Sequence, residues 1–161
     1  MIVLGVDPGT RVTGYGVLDG SASTPRVIAA GVVNLAALPT LPRKLLKLHE
    51  ALEQLILQYK PDEGAVETQF HGVNARSAFL VGQARGIVLF TFEERGLPCG
   101  EYTPATVKKT VAGHGRATKE QILRMIATLT RTKLPPGSHD AADAVGIAYT
   151  HLQRRRPLRG I

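Results

Sequence analysis

Apolar runs broken by turn formers occupy the first part of the chain: residues 2–6 (IVLGV), 13–18 (TGYGVL) and 27–35 (VIAAGVVNL). Three β-rich runs with short connections predict an antiparallel meander. The period then changes. Between Pro42 and Tyr59, residues Leu45, Leu48, Leu52, Leu55 and Ile56 recur at spacings of three and four, which predicts an amphipathic helix. The run GAVE follows and predicts a strand over about 63–67. Helical crossovers are overwhelmingly right-handed and return to the same sheet, so this strand is expected parallel to the first. Asp7 and Glu67 then end neighbouring strands.

A long helix is expected over 74–95, with Asn74 as N-cap and Gly96 as stop, and its middle, AFLVGQARGIVLF, is apolar nearly all round. One buried face cannot account for that. Ala78, Gly82 and Gly86 recur every four residues, and Phe79, Leu80, Val81 and Leu89 widen the apolar surface. Small residues at that spacing permit close helix approach, so this face is expected to form a homodimer interface; the competing account is a helix wholly internal to the core. A strand near 98–102, a short helix opened by Thr103-Pro104, a helix over 117–130 and a last helix from Asp140 to about Gln153 complete the pattern. The fold class is α/β, a mixed five-stranded sheet flanked by helices on both faces.

The chain has 161 residues, 43% hydrophobic and 20% charged, and is expected to form one domain over 1–153 followed by a basic tail, 154–161. No apolar run reaches the roughly 18 residues of a membrane span, and the start lacks a signal-peptide pattern, so a soluble, cytoplasmic protein with no membrane association is expected. Cys99 is the only cysteine, which excludes an internal disulfide and any paired-cysteine metal site. A metal must therefore be held by oxygen or imidazole. The formal net charge of +7 points to a polyanionic partner without identifying it.

Against that basic background four acids stand out. Asp7 closes the first strand where Pro8-Gly9-Thr10 turns the chain, and Glu67 closes the fourth. Asp140 and Asp143, in HDAADAVG, stand three apart and so share a helix face. Each has an ordinary structural explanation: Asp7 as a turn former, Glu67 as a strand end reaching solvent, Asp140 as an N-cap (with Ser138 the other candidate), and Asp143 as the third residue of a capping box. Together they would repel one another severely unless divalent cations neutralised them. Carboxylates suit Mg²⁺ or Mn²⁺, and two such ions support phosphodiester hydrolysis. His139 adjoins Asp140, but a neighbouring helical residue points about 100° away.

The segments GVDPGTRVTGYGV, VETQFHGVNARSAFLVGQARG, VKKTVAGHGRATKEQI and DAADAVGIA resemble, in order and spacing, the RuvC family of Holliday-junction resolvases, the crossover junction endodeoxyribonucleases, over about residues 1–153. The resemblance implies an RNase H-like fold, a homodimer, and paired Mg²⁺-dependent nicks placed symmetrically across a four-way junction in recombination and repair. It implies two Mg²⁺ per subunit, with Mn²⁺ as a substitute, on Asp7, Glu67, Asp140 and Asp143 as the catalytic carboxylates. It also implies RuvA and RuvB as branch-migration partners.

Lys108, Lys109, Arg116 and Lys119 bracket the Gly113-His114-Gly115 loop, where mobile positive charge suits a phosphate backbone. The resemblance places Lys108 and Lys119 near the cut. Phe70, in the polar stretch TQFHGVNAR, suits stacking on an unpaired junction base, and Arg76 suits a phosphate contact. Phe70, Arg76, Lys108, His114, Arg116 and Lys119 form the expected DNA-binding set. Arg154, Arg155, Arg156 and Arg159 are read as a solvated terminus. Two other classes compete. A phosphate-cradling Asp-x-Gly-Thr turn occurs in actin-like ATPases, which need two such domains, and a catalytically silent DNA-binding module would have no use for four converging acids.

Overall fold

The computed structural model describes residues 1–68 and 74–155. The meander forms over β1 (Ile2–Asp7), β2 (Val12–Asp19) and β3 (Arg26–Asn34), followed by α1 (Leu41–Tyr59) and β4 (Glu63–Glu67). Then come α2 (Ala75–Glu94), β5 (Cys99–Tyr102), α3 (Pro104–Ala112), α4 (Lys119–Thr130) and α5 (His139–Arg154). The sheet order is β3-β2-β1-β4-β5, with β1–β2 and β2–β3 antiparallel and β1–β4 and β4–β5 parallel. This is the RNase H-like mixed sheet that the resemblance implies. None of the described helices is long and apolar enough to cross a membrane.

Three of the helix starts, those of α2, α3 and α4, follow local capping chemistry. The Asn74 side chain accepts from the Arg76 N–H at 2.9 Å, and the Thr103 hydroxyl accepts from the Thr106 N–H at 3.2 Å. Thr118 and Gln121 form a reciprocal capping box, so α4 begins at Lys119 rather than at the expected Ala117.

Two cores form, one on each face of the sheet. On one side Leu4, Val6, Val17 and Val66 pack under Leu48 and Leu52 of α1 and Ala84, Val88 and Phe92 of α2. On the other, Val3, Leu18 and Ala65 meet Val145, Ile147 and Ala148 of α5, with Val107, Val111, Ile122 and Ile126 of α3 and α4 packed behind. α5 rests on three sheet glycines. A Cβ on Gly5 would lie 2.3 Å from the Ala144 carbonyl oxygen, one on Gly14 2.1 Å from that of Asp140, and one on Gly16 2.7 Å from the Val145 nitrogen. Glycine here is a requirement of close backbone approach, and the alanines of α5 complete the fit.

α2 is buried on one side only, through Ala84, Val88, Thr91 and Phe92. The wholly internal helix weighed from the sequence is therefore not what forms. Ala78, Phe79, Gly82 and Gly86 are all exposed, and among the described residues nothing lies within 4 Å of a Cβ placed on Gly82 or Gly86. Phe79 at 67% and Phe90 at 57% exposure flank the glycines, so an apolar strip about three turns long faces outward.

Candidate metal centre

β1 and β4 are paired in parallel up to Val6 and Val66, so Asp7 and Glu67 leave the sheet side by side at its carboxyl edge. α5 crosses β1 and β2 from the other layer. Gly14, the antiparallel partner of Asp7, lies directly beneath the Asp140 carbonyl. That contact brings the first turn of α5 over the end of β1. One carboxylate oxygen each from Asp7, Asp140 and Asp143 lie within 4.8 Å of one another. Asp7, Glu67 and Asp143 also line a cleft of about 660 Å³ with Thr68, Lys108 and Lys119.

The local explanations of Asp7, Asp140 and Asp143 do not hold. The turn after β1 is held by Thr13, whose hydroxyl donates to the Gly9 carbonyl at 2.8 Å and accepts from the Gly9 N–H at 3.1 Å. Asp7 is not needed for it. Ser138 is the N-cap residue of α5, but its hydroxyl turns back to the Pro135 carbonyl at 2.6 Å and caps nothing. Asp140 and Asp143 therefore stand at the second and fifth helical positions, and the capping box weighed for Asp143 is not formed. His139 points toward α4, its Nε2 3.1 Å from Glu120 Oε1.

Crowding shows in the proton affinities. Burial, then the charges of Glu67 and Asp143, push the Asp7 carboxyl up to about 8. Burial also raises Asp143, with Lys119 opposing the rise. Lys119 Nζ lies 3.3 Å from Asp140 Oδ1 and 3.4 Å from Asp143 Oδ2. Burial pulls its ammonium down, but the two carboxylates outweigh that and hold it above the usual lysine range. An all-oxygen donor set in which acids raise one another's proton affinity fits a hard divalent cation. A second grouping, His49, Glu53 and Glu94 between α1 and α2, carries its own cation, Arg95, on Glu53.

The remaining expected residues distribute around this centre. Lys108 is half-buried in the cleft wall, while His114 and Arg116 are exposed in the loop that leads from Gly113 into α4. Arg76 is exposed on the first turn of α2. Phe70 lies outside the described residues, as do Arg156 and Arg159. Arg154 ends α5, with its Nε donating to Thr110 Oγ1 at 3.1 Å, and Arg155 pairs with Glu63. Gly5, Gly14 and Gly16 were missed as site-forming residues. The glycines of TGYG were visible, but what rests on them was not.

Residues 3–151 match the family model described as Crossover junction endodeoxyribonuclease RuvC. A relative of that description from Brevibacillus brevis is 43% identical over 155 residues, covering 96% of this chain and 93% of the relative. One from Thermomicrobium roseum is 44% identical over 156 residues, covering 97% and 95%. The structure of Thermus thermophilus RuvC in complex with Holliday junction substrate superimposes with a TM-score of 0.86 at 33% identity, covering 94% of this chain and 92% of that one. Fold, site and sequence agree: the chain belongs to the RuvC family of crossover junction endodeoxyribonucleases.

Proposed function

We propose that this chain is a Holliday-junction resolvase that makes paired symmetric nicks in four-way junction DNA, with Mg²⁺ at Asp7, Glu67, Asp140 and Asp143. The convergence of Asp7, Asp140 and Asp143 from two separate elements carries the reading. Residues scattered over 137 positions of sequence meet within 4.8 Å on a protein of net charge +7. Two ions held there would neutralise the carboxylates and supply Lewis acidity to the phosphate, and Mn²⁺ would serve in their place.

The chain's own residues do the rest. Water adds to phosphorus, one phosphorus–oxygen bond to the sugar breaks, and the leaving oxygen takes up a proton. Lys108, on the cleft wall, holds the phosphate during this step. His114, Arg116 and Arg76 grip the backbone further out, and Phe70 stacks on an unpaired base at the junction centre. Asp7 releases its proton when the centre is loaded, so metal affinity rises with pH.

The working unit is a homodimer formed through Ala78, Phe79, Gly82, Gly86 and Phe90. Two copies of the centre would then be related by a two-fold axis, as are the two cuts. Phe79 and Phe90 are too exposed for an isolated apolar strip, which supports a covered face. RuvA and RuvB are the branch-migration partners this reading implies, acting in the cytoplasm. The deciding assay sets a synthetic four-way junction beside a linear duplex, each with Mg²⁺ or with EDTA. Symmetric nicks in the junction alone, and only with metal, are expected; equal cutting of the duplex or cutting in EDTA refutes the proposal.

A further inference from the structure

Lys119 does not extend from the cleft toward solvent, as a residue reserved for a phosphate backbone would. Its ammonium bridges Asp140 and Asp143 at 3.3 and 3.4 Å, although its side chain is 61% exposed and has open water available. The backbone beneath it is fixed. Thr118 and Gln121 close the first turn of α4, Ile122 is buried in the core, and Glu120 is tied to His139. Only the lysine side chain is left to choose a partner.

A divalent ion on Asp140 and Asp143 would need the same oxygens at about 2.0 to 2.6 Å, inside the position that the ammonium now caps. Ammonium and dication would then be close neighbours of like charge in a partly desolvated site, so the two exclude one another. The exposed length of Lys119 gives it a way out, along a cleft wall that also carries Lys108.

Resting on the metal-centre reading above, we propose that Lys119 is an internal counter-ion that stands in for the metal, is displaced when metal binds, and is thereby delivered to the substrate phosphate. Without Lys119, Asp140 and Asp143 would lose the ammonium that bridges them. One residue thus offsets the charge of Asp140 and Asp143 before metal binds and couples metal loading to DNA contact. Lys119 is in this sense a positioning residue whose partner changes.

The test compares Mn²⁺ binding to the full-length wild type, Lys119→Met and Asp140→Asn without DNA, by electron paramagnetic resonance of the free ion, alongside melting curves in EDTA and in saturating Mg²⁺. Removing two partly exposed ammonium contacts should tighten Mn²⁺ binding about three- to tenfold in Lys119→Met. The same variant should melt lower than wild type in EDTA and match it in Mg²⁺. A merely structural lysine would lower both melting temperatures alike, and a lysine that helps hold the metal would weaken Mn²⁺ binding; either result overturns the proposal. Retained wild-type Mn²⁺ binding by Asp140→Asn would instead sink the metal-centre reading. If Lys119→Met folds poorly, Lys119→Gln provides the same comparison.

Discussion

Replacing Gly14 by alanine should disable the metal centre from underneath. The new methyl would stand 2.1 Å from the Asp140 carbonyl oxygen and 2.7 Å from its carbonyl carbon. Both are backbone atoms, so no side-chain rotation relieves the clash, and the first turn of α5 must lift by about 1 Å. Overpacking of this kind costs about 1 to 3 kcal/mol, or a few degrees of melting temperature per kcal/mol for a chain this long. Most molecules remain folded, because domains of this kind have about 5 to 15 kcal/mol in hand. A displacement of about 1 Å in the catalytic groups costs on the order of a hundredfold in rate. The expected result is cleavage of a synthetic junction down about a hundredfold, with junction binding within a few-fold of wild type. Gly20→Ala is the control, since its methyl would first meet the flexible Leu152 side chain, at 2.6 Å, near the far end of α5. It should cut at the normal rate. A Gly14→Ala protein that cuts as fast as wild type, or that loses activity only in proportion to its unfolded fraction, would refute the argument.

Asp7→Asn should abolish cleavage while leaving junction binding intact or tighter in a gel-shift assay, because it removes a metal ligand and a negative charge but no basic contact. In EDTA, Asp7 holds its proton up to about 8 in the fold against an ordinary 3.8, so between those values the folded chain binds more protons than the unfolded one and stability falls as pH rises. Calorimetric melting temperatures should decline from about pH 5 to pH 8 and do so less steeply in Asp7→Asn; a rising curve would contradict the assignment. Gly82→Leu should give a monomer by sedimentation that binds junctions poorly, and Gly82→Ala, with nothing within 4 Å of its Cβ, should stabilise the separated chain by up to about 1 kcal/mol through helix propensity alone.

The strand and helix pattern was legible because it depends on local periodicity. β1, β4 and α5 sit where alternation, crossover geometry and helical spacing predict them, and those three elements deliver the carboxylates. The sidedness of α2 was legible only in part. Its apolar residues run nearly all round, and the structure alone divides Val88 and Phe92, fully buried, from Phe79 and Phe90, left outside. Phe90 continues the four-residue spacing of Ala78, Gly82 and Gly86 and so falls on the same face. Start positions slipped by a residue or two: the Thr118 capping box starts α4 at Lys119, and α5 starts at His139.

What sequence could not reveal is how tightly α5 lies on the sheet and what that forces on the charges. Gly5, Gly14 and Gly16 mean something only when the alanine-rich face of α5 is placed over them, and that pairing joins residues more than a hundred positions apart. Close approach then fixes Asp140 and Asp143 beside Asp7 whether or not a cation is present. Packing wins that contest because apolar burial along the whole of α5 acts at once, while the repulsion is confined to one end of the helix. Burial first, and then the neighbouring charges, raise the proton affinity of Asp7, and the acids of α5 draw in Lys119 from α4, 21 residues away from Asp140. Read from sequence, Lys119 was one basic residue in a loop-flanking cluster suited to DNA; in the folded chain its ammonium lies between Asp140 and Asp143, and its position follows from theirs.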